Sequence, residues 1–463
     1  MDYQKFTEED FEFLRDLVGK ERASKGESNL NIHSHDESFH AGYFPDVVVW
    51  PLATEEVSKI LAYANERRIP VTPWGVGTSL EGNPLPMFGG IVLDFERMDK
   101  IIAIRAEDFQ VDVQAGVKYQ DLNKALRWNG LFFAPDPGAN ATIGGMIGNN
   151  ASGVRTVKYG GTRDNVAKLT VVLADGRVIH PGNFAQKSSS GYDLVHLIIG
   201  SEGTLGIVTE ATLRLVGIPE KFSAAVATFP TVKAATQAVY DIMVAGLGPA
   251  ALELLDVSTV KVINEEAQSD LKEAPTLFME FTGTSDMALA EDVNFAETIC
   301  ADDECTSFES GVGPDERNQL WEKRHMAYEY IKRNNPGMDF MILDTAVPLS
   351  KYPEMVDFAV KTVEKFSIKG YAFGHAGDGN LHLVIAGDFS DADFCKKRDE
   401  ANYEIVSHAI SLGGTATGEH GVGIGKKKFM PLEHGESLEV MKEIKKMMDP
   451  NGILNPGKMV DMK

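Results

Sequence analysis

Three glycine-rich segments constrain this chain more than any other feature. Pro73-Trp74-Gly75-Val76-Gly77-Thr78-Ser79-Leu80-Glu81-Gly82 follows a strand pattern at 69–73. Pro135-Asp136-Pro137-Gly138 leads into Ala141-Thr142-Ile143-Gly144-Gly145-Met146-Ile147-Gly148-Asn149-Asn150-Ala151-Ser152-Gly153. Ile199-Gly200-Ser201-Glu202-Gly203-Thr204-Leu205-Gly206-Ile207-Val208 is the third. Glycine loses the most entropy on ordering and brings no side chain to a core, so 141–153 is expected to form no compact apolar core. Such segments let backbone approach a flat ligand closely, and small-residue loops can turn amides inward around phosphates. The first segment is not a dinucleotide fingerprint, because Leu80 holds the third glycine's place. It is not a Walker A loop either, since no Gly-Lys-Ser/Thr follows. Three such segments in one domain point to one large, extended ligand.

The surroundings alternate strand and helix. Apolar strands are expected at 47–50, 69–73 and 91–94. The helix after 47–50 carries Val57, Ile60, Leu61 and Ala64 on one face, with Thr54 as its cap. A hairpin is expected over 168–179 around Asp175-Gly176. Before all this, 8–20 reads as a helix, and His33 and His35 are expected in a solvated loop. After about 220 the rhythm changes. Strands are expected at 224–229, 252–255, 277–281, 340–343 and 369–373, and helices at 288–298, 316–332, 353–365 and 391–412, with Thr231 capping another. A final helix at 437–448 precedes a Pro- and Gly-rich end. The fold class is α+β. The boundaries are an N-terminal helix and loop at 1–40, a binding domain at 41–219, a cap with an antiparallel sheet at 220–425, and a segment at 426–463 returning to the first domain.

Within the cap, Phe373-Gly374-His375-Ala376-Gly377-Asp378-Gly379-Asn380-Leu381-His382-Leu383 stands out. Asp378-Gly379 is a strong two-residue turn signal. A turn there sets His375 directly opposite His382, on one side of the sheet, with Cβ atoms about 5 Å apart. Downstream, Gly418-Glu419-His420-Gly421 offers a carboxylate and a third imidazole. Two histidines plus a carboxylate, with positions left open, suit a divalent metal such as zinc or iron(II).

Charge and cysteines narrow the partners. The 463 residues carry a net charge of −23, which disfavours nucleic acid and anionic bilayers. No apolar run of about 18 residues occurs and the N-terminus lacks an apolar signal region, so a cytoplasmic protein without membrane insertion is expected. Three cysteines, Cys300, Cys305 and Cys395, are too few for a four-cysteine iron–sulfur cluster and are expected to be unpaired thiols.

The glycine-rich motifs, the His375–His382 hairpin, Gly418-Glu419-His420-Gly421 and Asn455-Pro456-Gly457-Lys458 stand in an order that resembles the FAD-dependent D-2-hydroxy acid dehydrogenases of the vanillyl-alcohol-oxidase type. That group includes D-lactate dehydrogenases, glycolate oxidase flavin subunits and D-2-hydroxyglutarate dehydrogenases, and the likeness spans about 40 to 463. It implies a flavin domain and a cap over the flavin. Pro73, Gly75, Val76, Gly77, Thr78 and Ser79 would wrap the pyrophosphate. Pro135, Gly138, Thr142, Gly144, Gly145, Gly148, Asn149, Ser152 and Gly153 would line the flavin's other side, with Gly203, Ile207 and Asn455 nearby. The first loop holds Thr78 and no histidine, so FAD is expected to be non-covalent. The metal ligands fall on His375, His382 and Glu419, and the base on His420. Arg324, in Leu320-Trp321-Glu322-Lys323-Arg324, would hold the substrate carboxylate; without the resemblance it reads as a surface helix charge. Ile342 stands where the 2-hydroxyglutarate enzymes carry a lysine, which suits a short substrate such as lactate better than a dicarboxylate. An electron-transferring flavoprotein is the expected acceptor, with iron–sulfur subunits as the alternative. Rival readings are an ether-lipid synthase without net redox chemistry and a non-catalytic flavin electron-transfer subunit.

Overall fold

The computed structural model describes residues 2–311 and 321–461. The chain clusters into two compact units. One comprises Met1–Ser152, Gly160–Ile218 and Glu419–Lys463, the other Gly153–Tyr159 and Pro219–Gly418.

The first unit begins with the helix Glu8–Val18. Thr7 and Asp10 cap it reciprocally, each side chain meeting the other's backbone amide. A short sheet follows in the order Ala23–Ser24, Val47–Val49, Ile91–Asp94, Val71–Trp74. The last three strands are parallel, and nearly every residue in them is buried. Parallel strands covered on both faces require unbroken apolar runs, as Val47–Val49 shows. The helix Thr54–Arg67 crosses between two of them and buries Val57, Ile60, Leu61 and Ala64, the expected face. Thr54 is not its cap. Ala53 holds that position, and the Thr54 hydroxyl instead donates to Thr209 Oγ1 at 2.9 Å. His33 is not in a solvated loop either. It is buried, with Nε2 2.9 Å from Asp94 and Nδ1 2.7 Å from the Asn29 carbonyl, and its ring tilts against Trp74.

A second, antiparallel sheet runs Ile101–Arg105, Gln110–Gln114, Ile207–Arg214, Val166–Val172, Val178–Ile179, and includes the expected hairpin around Asp175-Gly176. On it lies the helix Ile143–Asn149. The expectation that 141–153 contributes no core is corrected here. Thr142 caps this helix, and Ile143, Met146 and Ile147, spaced one turn apart, enter the core.

The second unit is built on a seven-stranded, wholly antiparallel sheet. Its order is Ser307–Ser310, Lys221–Thr228, Thr276–Gly283, Ala251–Leu255, Lys369–His375, Asn380–Gly387, Asp339–Ala346. Helices Val232–Val244, Asp286–Asp302, Tyr352–Phe366 and Ala392–Ser411 match the expected positions. Of the helix expected over 316–332, residues 316–320 lie outside the described residues. Residues 419–425 cluster with the first unit, so the cap boundary expected at 425 falls at 418. The cause is local: the Glu202 carboxylate accepts from the amides of Val422 and Gly423.

Asp256 caps the helix Val257–Ala267 through the Thr259 amide at 2.8 Å. Burial pushes its carboxyl up to about 6, against 3.8 ordinarily. Between those values the folded carboxyl keeps a proton that the unfolded one has released. Stability is therefore gained as pH falls through 6 and lost as it rises. Asp256→Asn keeps a capping oxygen and removes the buried charge. It is expected to raise stability near neutrality by up to roughly 3 kcal/mol and to lose that advantage by about pH 4. Unfolding midpoints measured across that range check it.

Candidate active site

In the first unit the three glycine-rich segments converge. A Cβ on Gly75 would lie 2.5 Å from Thr142 Oγ1, and one on Gly203 would lie 2.5 Å from Pro73 Cγ. The Glu202 amide donates to the Gly148 carbonyl at 2.9 Å, and the Gly200 amide to the Ile147 carbonyl at 2.9 Å. Close backbone approach thus joins regions distant in sequence, as glycine permits. Among the described residues, none of the backbone amides at 75–80 donates a hydrogen bond within the chain. Six half-buried donors without acceptors, around Gly77 at φ +71°, fit the anionic pyrophosphate of FAD. Val76 and Thr78 belong to this loop, and Ser79 donates its hydroxyl to Asn83. Gly138 and Gly145 are exposed, and nothing lies within 4 Å of a Cβ built on Gly138. Pro135 and Gly144 are tucked into the fold, Gly144 against Ala115. The Ile207 side chain belongs to the core, being 1% exposed, and Thr142 serves as a helix cap. Asn455 reaches back to the carbonyls of Asn83 and Glu202 at 2.9 and 2.7 Å.

Asn149 donates to the His420 carbonyl at 3.2 Å, and Ser152 donates to Glu419 Oε2 at 2.9 Å. His420 Nε2 is 3.8 Å from Glu419 Oε1. The pair is therefore held by the segment expected to line the flavin. Gly153, the last residue of that segment, clusters with the second unit.

In the second unit the histidine hairpin differs from expectation by two residues. A helical turn at Ala376–Asp378, followed by Gly379 at φ +69°, replaces the two-residue turn. Phe373 then faces His382, and His375 faces Glu253 on the neighbouring strand. A shift of two preserves side-chain parity, so both histidines stay on one face as diagonal neighbours. Their rings are 5.1 Å apart and perpendicular. Four adjacent strands place Glu253, His375, His382 and Asp344 in a row across that face. His375 Nδ1 is 2.7 Å from Glu253 Oε1, and His382 Nδ1 is 3.6 Å from Asp344 Oδ1. His375, whose Nδ1–H points at Glu253, presents its Nε2 lone pair outward, the orientation of metal-bound histidines, whereas His382 Nδ1 lies beyond hydrogen-bond reach of Asp344. The donor set fits a divalent metal. Asp344 also accepts from Asn380 at 2.7 Å and from Thr417 at 2.9 Å, just upstream of Glu419.

Arg324 is not a surface charge. It is buried, its Nη2 lies 2.5 Å from Glu253 Oε2, and its guanidinium sits 4.9 Å from the centre of the Phe373 ring. Leu320 of its motif lies outside the described residues. Burial alone would raise the Glu253 carboxyl, but His375 and Arg324 outweigh it and hold it below the ordinary value. Sequence reasoning missed Glu253 and Asp344. The available signal was an acidic residue set among apolar neighbours in each of two strands, Glu253 in Ala251–Leu255 and Asp344 in Asp339–Ala346.

Glycine is required at 374. A Cβ there would collide with the Asn380 carbonyl oxygen on the facing strand. Gly374→Ala is expected to destabilise the second unit by about 1–3 kcal/mol, which denaturant unfolding checks.

A family model described as FAD linked oxidases, C-terminal domain, matches residues 218–459, and an FAD binding domain model matches 45–182. The chain is 43% identical over 425 residues to the mitochondrial D-lactate dehydrogenase (cytochrome) of Arabidopsis thaliana, covering 91% of this chain and 75% of that one. It is 38% identical over 453 residues to a probable mitochondrial D-lactate dehydrogenase of Danio rerio, with 97% and 91% covered. It is 39% identical over 453 residues to glycolate oxidase subunit GlcD of Bacillus subtilis (strain 168), with 97% and 96% covered. Among solved structures, 4-ethylphenol oxidase from Gulosibacter chungangensis superposes with a TM-score of 0.81 at 18% identity, over 99% of each chain. Alkyldihydroxyacetonephosphate synthase superposes at 0.76 and 20%, over 98% of this chain and 86% of the other. These two likenesses concern the fold. The chain belongs to the FAD-linked oxidases and is an FAD-dependent oxidoreductase with the vanillyl-alcohol-oxidase-type fold.

Proposed function

We propose that this protein oxidises a short D-2-hydroxy acid, lactate foremost, to the 2-oxo acid. The observation that carries the reading is the paired histidines on one sheet face, His375 hydrogen-bonded to the buried Glu253 and His382 beside the buried Asp344, in a chain whose relatives are named D-lactate dehydrogenase and glycolate oxidase subunit. His375, His382 and Glu419 would hold a divalent metal, zinc or iron(II), which supplies Lewis acidity toward the substrate hydroxyl. FAD, held non-covalently by the 75–80 amides, supplies a two-electron acceptor. His420 takes the hydroxyl proton at its imidazole. Arg324 holds the substrate carboxylate. Ile342, half-buried against the core of the second unit, places no cation for a second carboxylate, which favours a monocarboxylate. Electrons then leave for a protein acceptor, an electron-transferring flavoprotein before iron–sulfur subunits, in the cytoplasm. Among the described residues no helix is long and apolar enough to cross a membrane.

Anaerobic mixing with D-lactate, L-lactate, glycolate and D-2-hydroxyglutarate, with metal analysis, tests this reading. D-lactate is expected to bleach the flavin fastest, in protein carrying stoichiometric metal. Faster bleaching by glycolate or D-2-hydroxyglutarate moves the substrate assignment, and no bleaching by any of them overturns the reading. Reoxidation by purified electron-transferring flavoprotein, compared with quinone and oxygen, tests the acceptor.

A further inference from the structure

We propose that Glu253 is the positioning residue that sets both the metal-facing tautomer of His375 and the seat of Arg324. This inference rests on the metal reading above and assigns a role to a residue that it leaves unused. Glu253 is fully buried, on a strand of otherwise apolar residues. Its two oxygens divide: Oε1 lies 2.7 Å from His375 Nδ1, and Oε2 lies 2.5 Å from Arg324 Nη2. The register that misplaced the hairpin turn is what brings it there, since His375 pairs directly with Glu253 across the sheet. A buried carboxylate is costly unless paired, and here two cationic or donor groups share it. Among the described residues the Arg324 Nε hydrogen has no acceptor, and Glu253 is the carboxylate that pairs with the guanidinium.

The chemistry follows from the geometry. An acceptor at Nδ1 holds the proton there and leaves the lone pair on Nε2. The same carboxylate, pulling on Nη2, fixes the guanidinium plane over Phe373. One buried anion therefore aligns a ligand for the metal and a cation for the substrate carboxylate, without touching either.

Glu253→Gln separates these roles from mere packing. A glutamine amide has one acceptor oxygen and one donor nitrogen, so it can satisfy His375 or Arg324 but not both. The measurements are zinc affinity by chelator competition, KM and kcat for D-lactate, and FAD content. Zinc affinity is expected to fall about 10–100-fold and KM to rise, with FAD content unchanged, because the 75–80 loop belongs to the other unit. Glu253→Asp keeps the charge on a shorter arm and is expected to recover part of the zinc affinity. If Glu253→Gln binds zinc as tightly as the parent protein with the same KM, the assignment is overturned. If the parent protein binds no metal and His375→Ala leaves turnover intact, the metal reading itself has failed.

Discussion

His420→Ala is expected to lower kcat by roughly 10²–10⁴-fold while FAD and metal stay bound. The backbone that carries the imidazole is anchored by its neighbours. Its carbonyl accepts from Asn149, and Ser152 steadies the adjacent Glu419. Alanine leaves both of these contacts in place, because one uses the backbone and the other a different side chain. The fold and the metal ligands are therefore retained, and only the proton acceptor is lost. Steady-state turnover, flavin absorbance and metal content measured on one preparation check it. Turnover within about fivefold of the parent, with both cofactors present, would falsify the base assignment.

Lys445→Met is expected to cost about 3–5 kcal/mol of stability in the first unit, the largest such effect foreseen for a single residue. Lys445 is buried on the helix Ser437–Met448, and its Nζ meets Asp449 at 2.5 Å and the carbonyls of Thr204 and Leu454 at 2.7 and 2.9 Å. Asp449 in turn accepts from the amides of Ile453 and Leu454 at 3.0 and 2.8 Å. Burial pushes the Lys445 ammonium down in pKa, and Asp449 opposes that push. Methionine fills the space but strands a fully buried carboxylate. The knot also ties the C-terminal segment to the third glycine-rich segment at Thr204, so FAD retention is expected to weaken with it. Adding Asp449→Leu should restore only part of the loss, because two backbone amides and two carbonyls would still lack partners. Denaturant unfolding followed by flavin release checks both variants. A cost under about 1 kcal/mol for the single variant would mean that this pair is not desolvated.

Local rules read much of this chain correctly. The helix Thr54–Arg67 shows its apolar face at the expected positions, and Thr231 caps its helix. The hairpin was placed on the right segment with both histidines on one face, because a strand alternates sides whatever its register. The exact turn was misread because Asp378-Gly379 also serves a longer turn, with Gly379 left-handed after a helical residue run. The segment at 141–153 was misread because its glycines hid three apolar residues one turn apart. Arg324 and His33 carry no local mark of burial. Each is buried because a carboxylate distant in sequence, Glu253 or Asp94, awaits it.

What the amino-acid order determined alone is the inventory: glycine loops able to admit a phosphate, a two-histidine hairpin, and alternating elements in two styles. Those depend on interactions within a few residues, where sterics and periodicity decide. What only the tertiary structure decided is the row Glu253, His375, His382, Asp344 and the meeting of three glycine segments. Pairing between strands far apart in the chain is set by how the whole sheet packs, and no short stretch of sequence carries that information.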